Sequence, residues 1–164
     1  MILQMTSVGE QLKLFLYLIF IFALQGCAKG KVDILSQNGE VLGACTANFD
    51  WHWYGAQDSV NYILYKCVKG HHDSGKLLSD YALFENDYTL PAPPDGQTWN
   101  RQNAYNQFKA GEFSEQKYGY ILAEIEYRFM LTQQKSQLQL SSGSITKEKY
   151  NQQIDEAKAM LNGG

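Results

Sequence analysis

Apolar and polar residues alternate in three different ways along this chain. From Leu14 to Leu24 the residues are uncharged and almost wholly apolar, after Lys13 and before the polar pair Gln25-Gly26. A membrane-spanning helix takes roughly 20 such residues, so this run is too short to cross a bilayer and has the length of a signal-peptide core. It is either cleaved or buried. Further on, Val32-Asp-Ile-Leu-Ser36 and Glu40-Val-Leu-Gly-Ala-Cys-Thr-Ala47 flank Gln37-Asn38-Gly39. Asn-Gly between apolar runs predicts a β-hairpin, because both residues tolerate positive φ. Val60, Tyr62 and Leu64 alternate as a strand would, but Val60, Ile63, Leu64, Cys67 and Val68 follow the helical spacing i, i+3, i+4, i+7, i+8. The ends favour the helix: Asp58 and Ser59 are available as N-caps, Lys66 and Lys69 fall in the last turn, and Gly70 stands at the C′ position. A third strand is expected between Lys76 and Phe84, ahead of the turn-rich Pro91-Ala-Pro-Pro-Asp-Gly96.

After Pro94 the chain is rich in Gln, Lys, Glu and Tyr and has no further proline, which predicts helix. A short helix is expected near Asn100 to Phe108. A long one follows from 114 to about 139, with Tyr118, Ile121, Leu122, Ile125 and Phe129 on one stripe, and a third from 146 to 161 carries Tyr150, Ile154, Ala157 and Leu161. Facing stripes would stack the three antiparallel. Two corners repeat in register, Gly111-Glu-Phe113-Ser114-Glu-Gln-Lys-Tyr118 and Gly143-Ser-Ile145-Thr146-Lys-Glu-Lys-Tyr150, offset by 32 residues. In each, glycine ends one helix, an apolar residue fills the corner, Ser or Thr caps the next helix and Tyr packs one turn in. Such units are joints rather than active sites. The pattern resembles the short C-terminal helical modules of bacterial membrane-associated proteins called SHOCT domains, over residues 100–162. Gly143, Ile145, Thr146, Tyr150, Ile154 and Leu161 fit that pattern; Gly111, Phe113, Ser114 and Tyr118 fit its corner, with a longer helix after it. The resemblance implies interaction rather than turnover.

Leu24-Gln25-Gly26-Cys27 resembles the lipobox of bacterial lipoproteins, although Gln25 is bulkier than the usual residue there and Glu10 offsets Lys13. The resemblance implies that residues 1–26 are a signal peptide, that Cys27 is lipidated, and that residues 27–30 form an anchor and tether. Ala28 stands where an inner-membrane retention signal would place Asp. That implies an outer-membrane, periplasm-facing location, with surface exposure or the inner membrane as alternatives. With Cys27 given to lipid, Cys45 and Cys67 make an even pair in an oxidising compartment and are expected to bridge. Two buried free thiols are the alternative. Closing a loop of about 22 residues is worth on the order of 3 kcal/mol.

Composition then narrows the partners. The formal charge of −3 survives processing, because Glu10 and Lys13 leave together, so no basic excess exists to hold nucleic acid. The 11 tyrosines and 3 tryptophans can cover a small core while their polar tips reach water or a partner. Four aromatic residues, Trp51, His52, Trp53 and Tyr54, are adjacent and could form a platform for a glycan or small molecule, or plug the open side of a small sheet. His71 and His72 are the chain's candidates for a metal, but a solvated turn is the simpler reading; a zinc site on the cysteines is not expected either, with no CxxC pair and the histidines lying elsewhere. No GxSxG, HExxH or paired-carboxylate arrangement stands near these histidines, so neither an enzyme nor a cofactor is expected. The fold expected is α+β: a disulfide-stapled hairpin and helix over 31–90, a Pro/Gly linker over 91–99 and an antiparallel helical module over 100–162. Its expected role is a non-catalytic envelope scaffold or accessory subunit, bound to the membrane through Cys27 and to an envelope protein or a second copy. The alternative is periplasmic ligand binding through Trp51 to Tyr54.

Overall fold

A computed structural model describes residues 28–49, 55–94 and 96–164. The hairpin is present: β1 (Ala28–Leu35) and β2 (Val41–Phe49) pair antiparallel from Ala28↔Phe49 to Leu35↔Val41. The tether expected at 28–30 is therefore already strand. The connection is longer than a two-residue Asn-Gly turn. Gly39 alone takes a positive φ, of 83°, and Ser36 Oγ accepts from the backbone N–H groups of Asn38 and Glu40. An irregularity in register between Ile34 and Leu35 adds a bulge that absorbs the extra residue. On the other side of β1 lies β3 (Leu77–Leu78), giving the order β2-β1-β3. The strand expected as far as Phe84 stops there because the Asp80 carboxylate accepts from Ala82 N–H at 2.8 Å and turns the chain into a 3-10 helix, Ala82–Glu85.

One face of the sheet is covered by α1 (Ala56–Asp73). Val32, Ile34, Cys45 and Ala47 meet Val60, Leu64 and Val68 in a dry core completed by Leu78 and Leu83. The helical reading of this segment holds, but both ends move outward. Gly55, not Asp58 or Ser59, is the N-cap; Ser59 N–H bonds to Gly55 O, and its hydroxyl donates to Gly119 O. At the far end the helix runs through Gly70 and stops at Gly75, whose N–H bonds to His72 O while Lys76 N–H bonds to His71 O, the paired bonds of a Schellman stop. Gly70 costs about 1 kcal/mol inside a helix. The turn after it is held by the Lys69–Asp73 pair at 2.6 Å and by His72 against Phe84. His71-His72-Asp73 is thus a final helical turn, not a loop.

The helical half consists of α2 (Arg101–Lys109), α3 (Glu115–Ser141) and α4 (Lys147–Asn162). Its two corners have the same geometry. Gly111 and Gly143 sit at φ 78° and 72°, where a side chain would be strained. Each is followed by a Schellman bond, Glu112 N–H to Gln107 O and Ser144 N–H to Gln139 O. Ser114 and Thr146 then cap the next helix through Lys117 and Lys149 N–H. Phe113 meets Trp99 edge-on, Tyr118 stacks on Phe108 at 4.7 Å, and Ile145 and Tyr150 are half-buried. Trp99, Ala104, Tyr118, Ile121, Ile125 and Leu161 form the core of this half.

α3 has a second buried face that its sequence stripe does not mark. Gly119, Tyr120 and Ala123 are buried, and they pack towards α1 and Tyr88. A Cβ on Gly119 would stand 2.6 Å from Gly55 O, and one on Gly55 would stand 2.9 Å from Gly119 Cα. The crossing exists because both residues are glycine. The segment 91–99 expected as a linker is also fixed: Trp99 is buried with its indole N–H on Pro91 O, and just before the segment Lys117 Nζ bonds to Asp87 O, Asp87 Oδ2 and Thr89 O. No helix of the described residues is long and apolar enough to cross a membrane.

Candidate functional site

Three places bring chemistry-bearing side chains together. The first is the disulfide. Cys45 and Cys67 are bridged, with Cα atoms 5.9 Å apart, tying β2 to α1 as the cysteine count predicts. Cys45 lies buried under the helix, at 1% exposure, whereas Cys67 faces solvent. The separation of histidine from cysteine expected from the sequence does not hold in space. His71 follows Cys67 by one helical turn, and its ring nitrogen lies within 4.8 Å of both sulfurs. The spacing Cys67-x-x-x-His71 carried that signal, since residues four apart share a helix face. His72 points elsewhere, packing against Tyr81 and Phe84.

The second is a layer of tyrosines between α1 and α3. Tyr62 stacks on Tyr120 at 5.6 Å, Tyr65 on Tyr88 at 4.2 Å, and Tyr88 meets Tyr120 at 4.9 Å. Tyr62 O–H donates to Glu124 Oε2 at 2.9 Å, and Lys66 Nζ donates to the same oxygen at 2.7 Å while lying 4.5 Å from the Tyr127 ring centroid. Burial, reinforced by the hydrogen bond to Glu124 and its charge, pushes the Tyr62 phenol well above its ordinary range. Burial, with smaller contributions from neighbouring acidic groups, pushes Tyr120 up to about 12. Phenols held this way stay protonated near neutral pH and act as fixed donors. Nothing in the sequence periodicity marks Glu124 and Lys66 as partners; they meet because the glycine crossing brings α1 against α3.

The third is a groove of about 710 Å³ between β2 and α3. Thr46 to Phe49 form one wall, Leu122, Tyr127, Phe129 and Met130 the other, and the paired Arg101 and Glu126 lie at its rim. That volume is in the range of small-molecule sites. β2 is the edge strand on this side, and Val41 to Phe49 contains neither charge nor proline. Trp51, His52, Trp53 and Tyr54, the expected ligand platform, lie outside the described residues, as does Cys27. Comparison with protein-family models, with curated proteins and with solved structures finds no match.

Proposed function

We propose that this chain is an exported, lipid-anchored envelope protein without catalysis of its own, acting through its helical half as a scaffold or accessory subunit. The observation that carries the reading is the Cys45–Cys67 bridge. Disulfides persist in oxidising compartments, and this one takes two of the three cysteines, leaving Cys27, directly before β1, for the lipid that the lipobox resemblance implies. SHOCT-like corners support the interaction role, as do apolar side chains turned to solvent on the last two helices: Leu138 is 71% and Met160 72% exposed.

The test is the intact mass of the protein from native membranes, with and without reduction and with Cys27→Ala as control. The expected mass is that of residues 27–164 plus a diacylglyceryl group on the Cys27 sulfur and a third acyl chain on its amino group, less two hydrogens for the bridge. Crosslinking of the same membranes before solubilisation is expected to give a discrete protein adduct. An unmodified chain retaining residues 1–26 would overturn the export reading, and recovery only as a free monomer would overturn the scaffold role. One observation favours a second reading, ligand binding: the groove between β2 and α3 is of small-molecule size, and its β2 wall ends at Phe49, two residues before Trp51 in sequence.

A further inference from the structure

Three metal-ligating side chains meet at the disulfide on two rigid elements, Cys45 buried and Cys67 and His71 exposed. Cys45 sits on β2, opposite Val32 in the sheet register, and Cys67 and His71 share one face of α1. His71 is pinned by its own backbone: its carbonyl accepts from Ser74 N–H at 3.2 Å, Ser74 Oγ at 2.7 Å and Lys76 N–H at 3.1 Å. The next turn is tied to the hairpin loop by Gln37 Nε2 on Gly75 O at 2.6 Å. The S–S bond joins the two sulfurs, and the helical turn from Cys67 to His71 brings the imidazole nitrogen within 4.8 Å of both. Around zinc, with bonds of about 2.3 Å to sulfur and about 2.0 Å to nitrogen, donors stand roughly 3.5–4 Å apart. Rotation of the exposed Cys67 and His71 side chains covers the difference.

While the S–S bond stands, neither sulfur is a thiolate and only the imidazole can act as a ligand. A dithiol reductant opens the bond, passing two electrons and two protons to the protein as it closes to its own cyclic disulfide. Each cysteine then loses its proton on binding a metal. We propose that the reduced protein binds one thiophilic divalent cation of the zinc class through Cys45 Sγ, Cys67 Sγ and His71, with a fourth position open to solvent. A disulfide oxidant closes the site: it takes up the two electrons and two protons to become a dithiol as the Cys45–Cys67 bond re-forms, and the cation, having lost two of its three ligands, is released. The same cysteine pair thus serves as a staple in one redox state and as a metal clip in the other. This inference concerns the reduced chain and stands whether or not the protein is lipid-anchored.

The probe is cobalt(II), which gives sulfur-to-metal charge-transfer absorption when bound by thiolate. It is titrated into the full chain carrying Cys27→Ala, purified in detergent and reduced with a phosphine. One equivalent is expected to bind and to be displaced by zinc, with no signal from the oxidised chain. His71→Ala, an exposed substitution, is expected to weaken binding by at least about tenfold, and Cys67→Ser to abolish the charge-transfer band. A folded, reduced chain without that band would overturn the proposal, as would a His71→Ala chain that binds as tightly as its parent. Far-UV circular dichroism covers the case in which reduction unfolds the protein. Recovery of helix on adding zinc supports the site, whereas a reduced chain that stays unfolded in excess zinc overturns it.

Discussion

Tyr62 and Tyr120 show what burial does to a polar aromatic residue. Each offers a large ring to the interface between α1 and α3, and Tyr62 satisfies its hydroxyl on Glu124. Both phenols are harder to ionise in the folded chain than at their ordinary value of 10.0. The unfolded chain therefore loses these protons first as pH rises, so the folded state is fully favoured below pH 10.0 and loses that advantage towards Tyr120's value of about 12. Titration followed by tyrosinate absorbance and circular dichroism together should show unfolding across that window. Ionisation of both phenols at pH 10 with the fold intact would contradict the assignment. At this scale the sequence was uneven in what it revealed. Setting Cys27 aside for the lipobox left Cys45 and Cys67 as the pair to bridge, and the Gly-x-[Phe/Ile]-[Ser/Thr] corners spelled out their own caps, because those depend on a few neighbouring residues. His71 beside Cys67 was written in a four-residue helical spacing that went unread, whereas Glu124 beside Lys66 depends on how elements meet, which no local pattern records.

At the scale of elements, helix ends and helix crossings obey different rules. α1 begins and ends at Gly55 and Gly75 rather than at the caps its sequence offers. Contacts outside the helix decide both ends: Glu115 Oε1 accepts from Gly55 N–H, and His72 rests on Phe84. Two glycines of the helical segments make opposite predictions. Alanine is a better helix former than glycine by about 0.8–1.0 kcal/mol, and a Cβ at Gly70 meets nothing within 4 Å, so Gly70→Ala should stabilise the protein by about that amount. At Gly119 the same gain is outweighed by a Cβ only 2.6 Å from Gly55 O, and Gly119→Ala should cost about 1–3 kcal/mol through overpacking. Thermal unfolding of the two variants decides it; equal shifts would mean that the close crossing is not what joins α1 to α3. The stripe Tyr118, Ile121, Ile125 was legible in α3 because it faces its sequence neighbours. The second face, with its small residues Gly119 and Ala123, was not, since small residues carry almost no hydrophobic signal.

At the scale of the molecule, the sheet-and-helix half and the helical half share a wall. α1 gives one face to the sheet core and the other to α3, while Lys117 and Arg128 hold the intervening segment by its carbonyls, Arg128 on Trp99 O at 2.7 Å. The α+β class could be read from element types alone. The dependence of the halves on each other could not, because a change in composition near Pro94 looks the same whether the chain there is loose or clamped. One cooperative unfolding transition is expected, coincident by circular dichroism and by tyrosine fluorescence. Two separated transitions would show that the wall contributes little.

The pairing of Ala28 with Phe49 at the very start of the sheet has a mechanical consequence. A lipid on Cys27 would leave no leash between bilayer and fold: one peptide bond separates the anchoring residue from a hydrogen-bonded strand. An anchored protein that fishes for distant partners needs slack, and a chain lipidated at Cys27 would instead be mounted, free to pivot but not to wander. Its reach would be fixed by its own dimensions, with eight residues of β1 at about 3.3 Å each setting roughly 26 Å between the mount and the hairpin tip. Anything it meets would have to come to it, at the membrane surface.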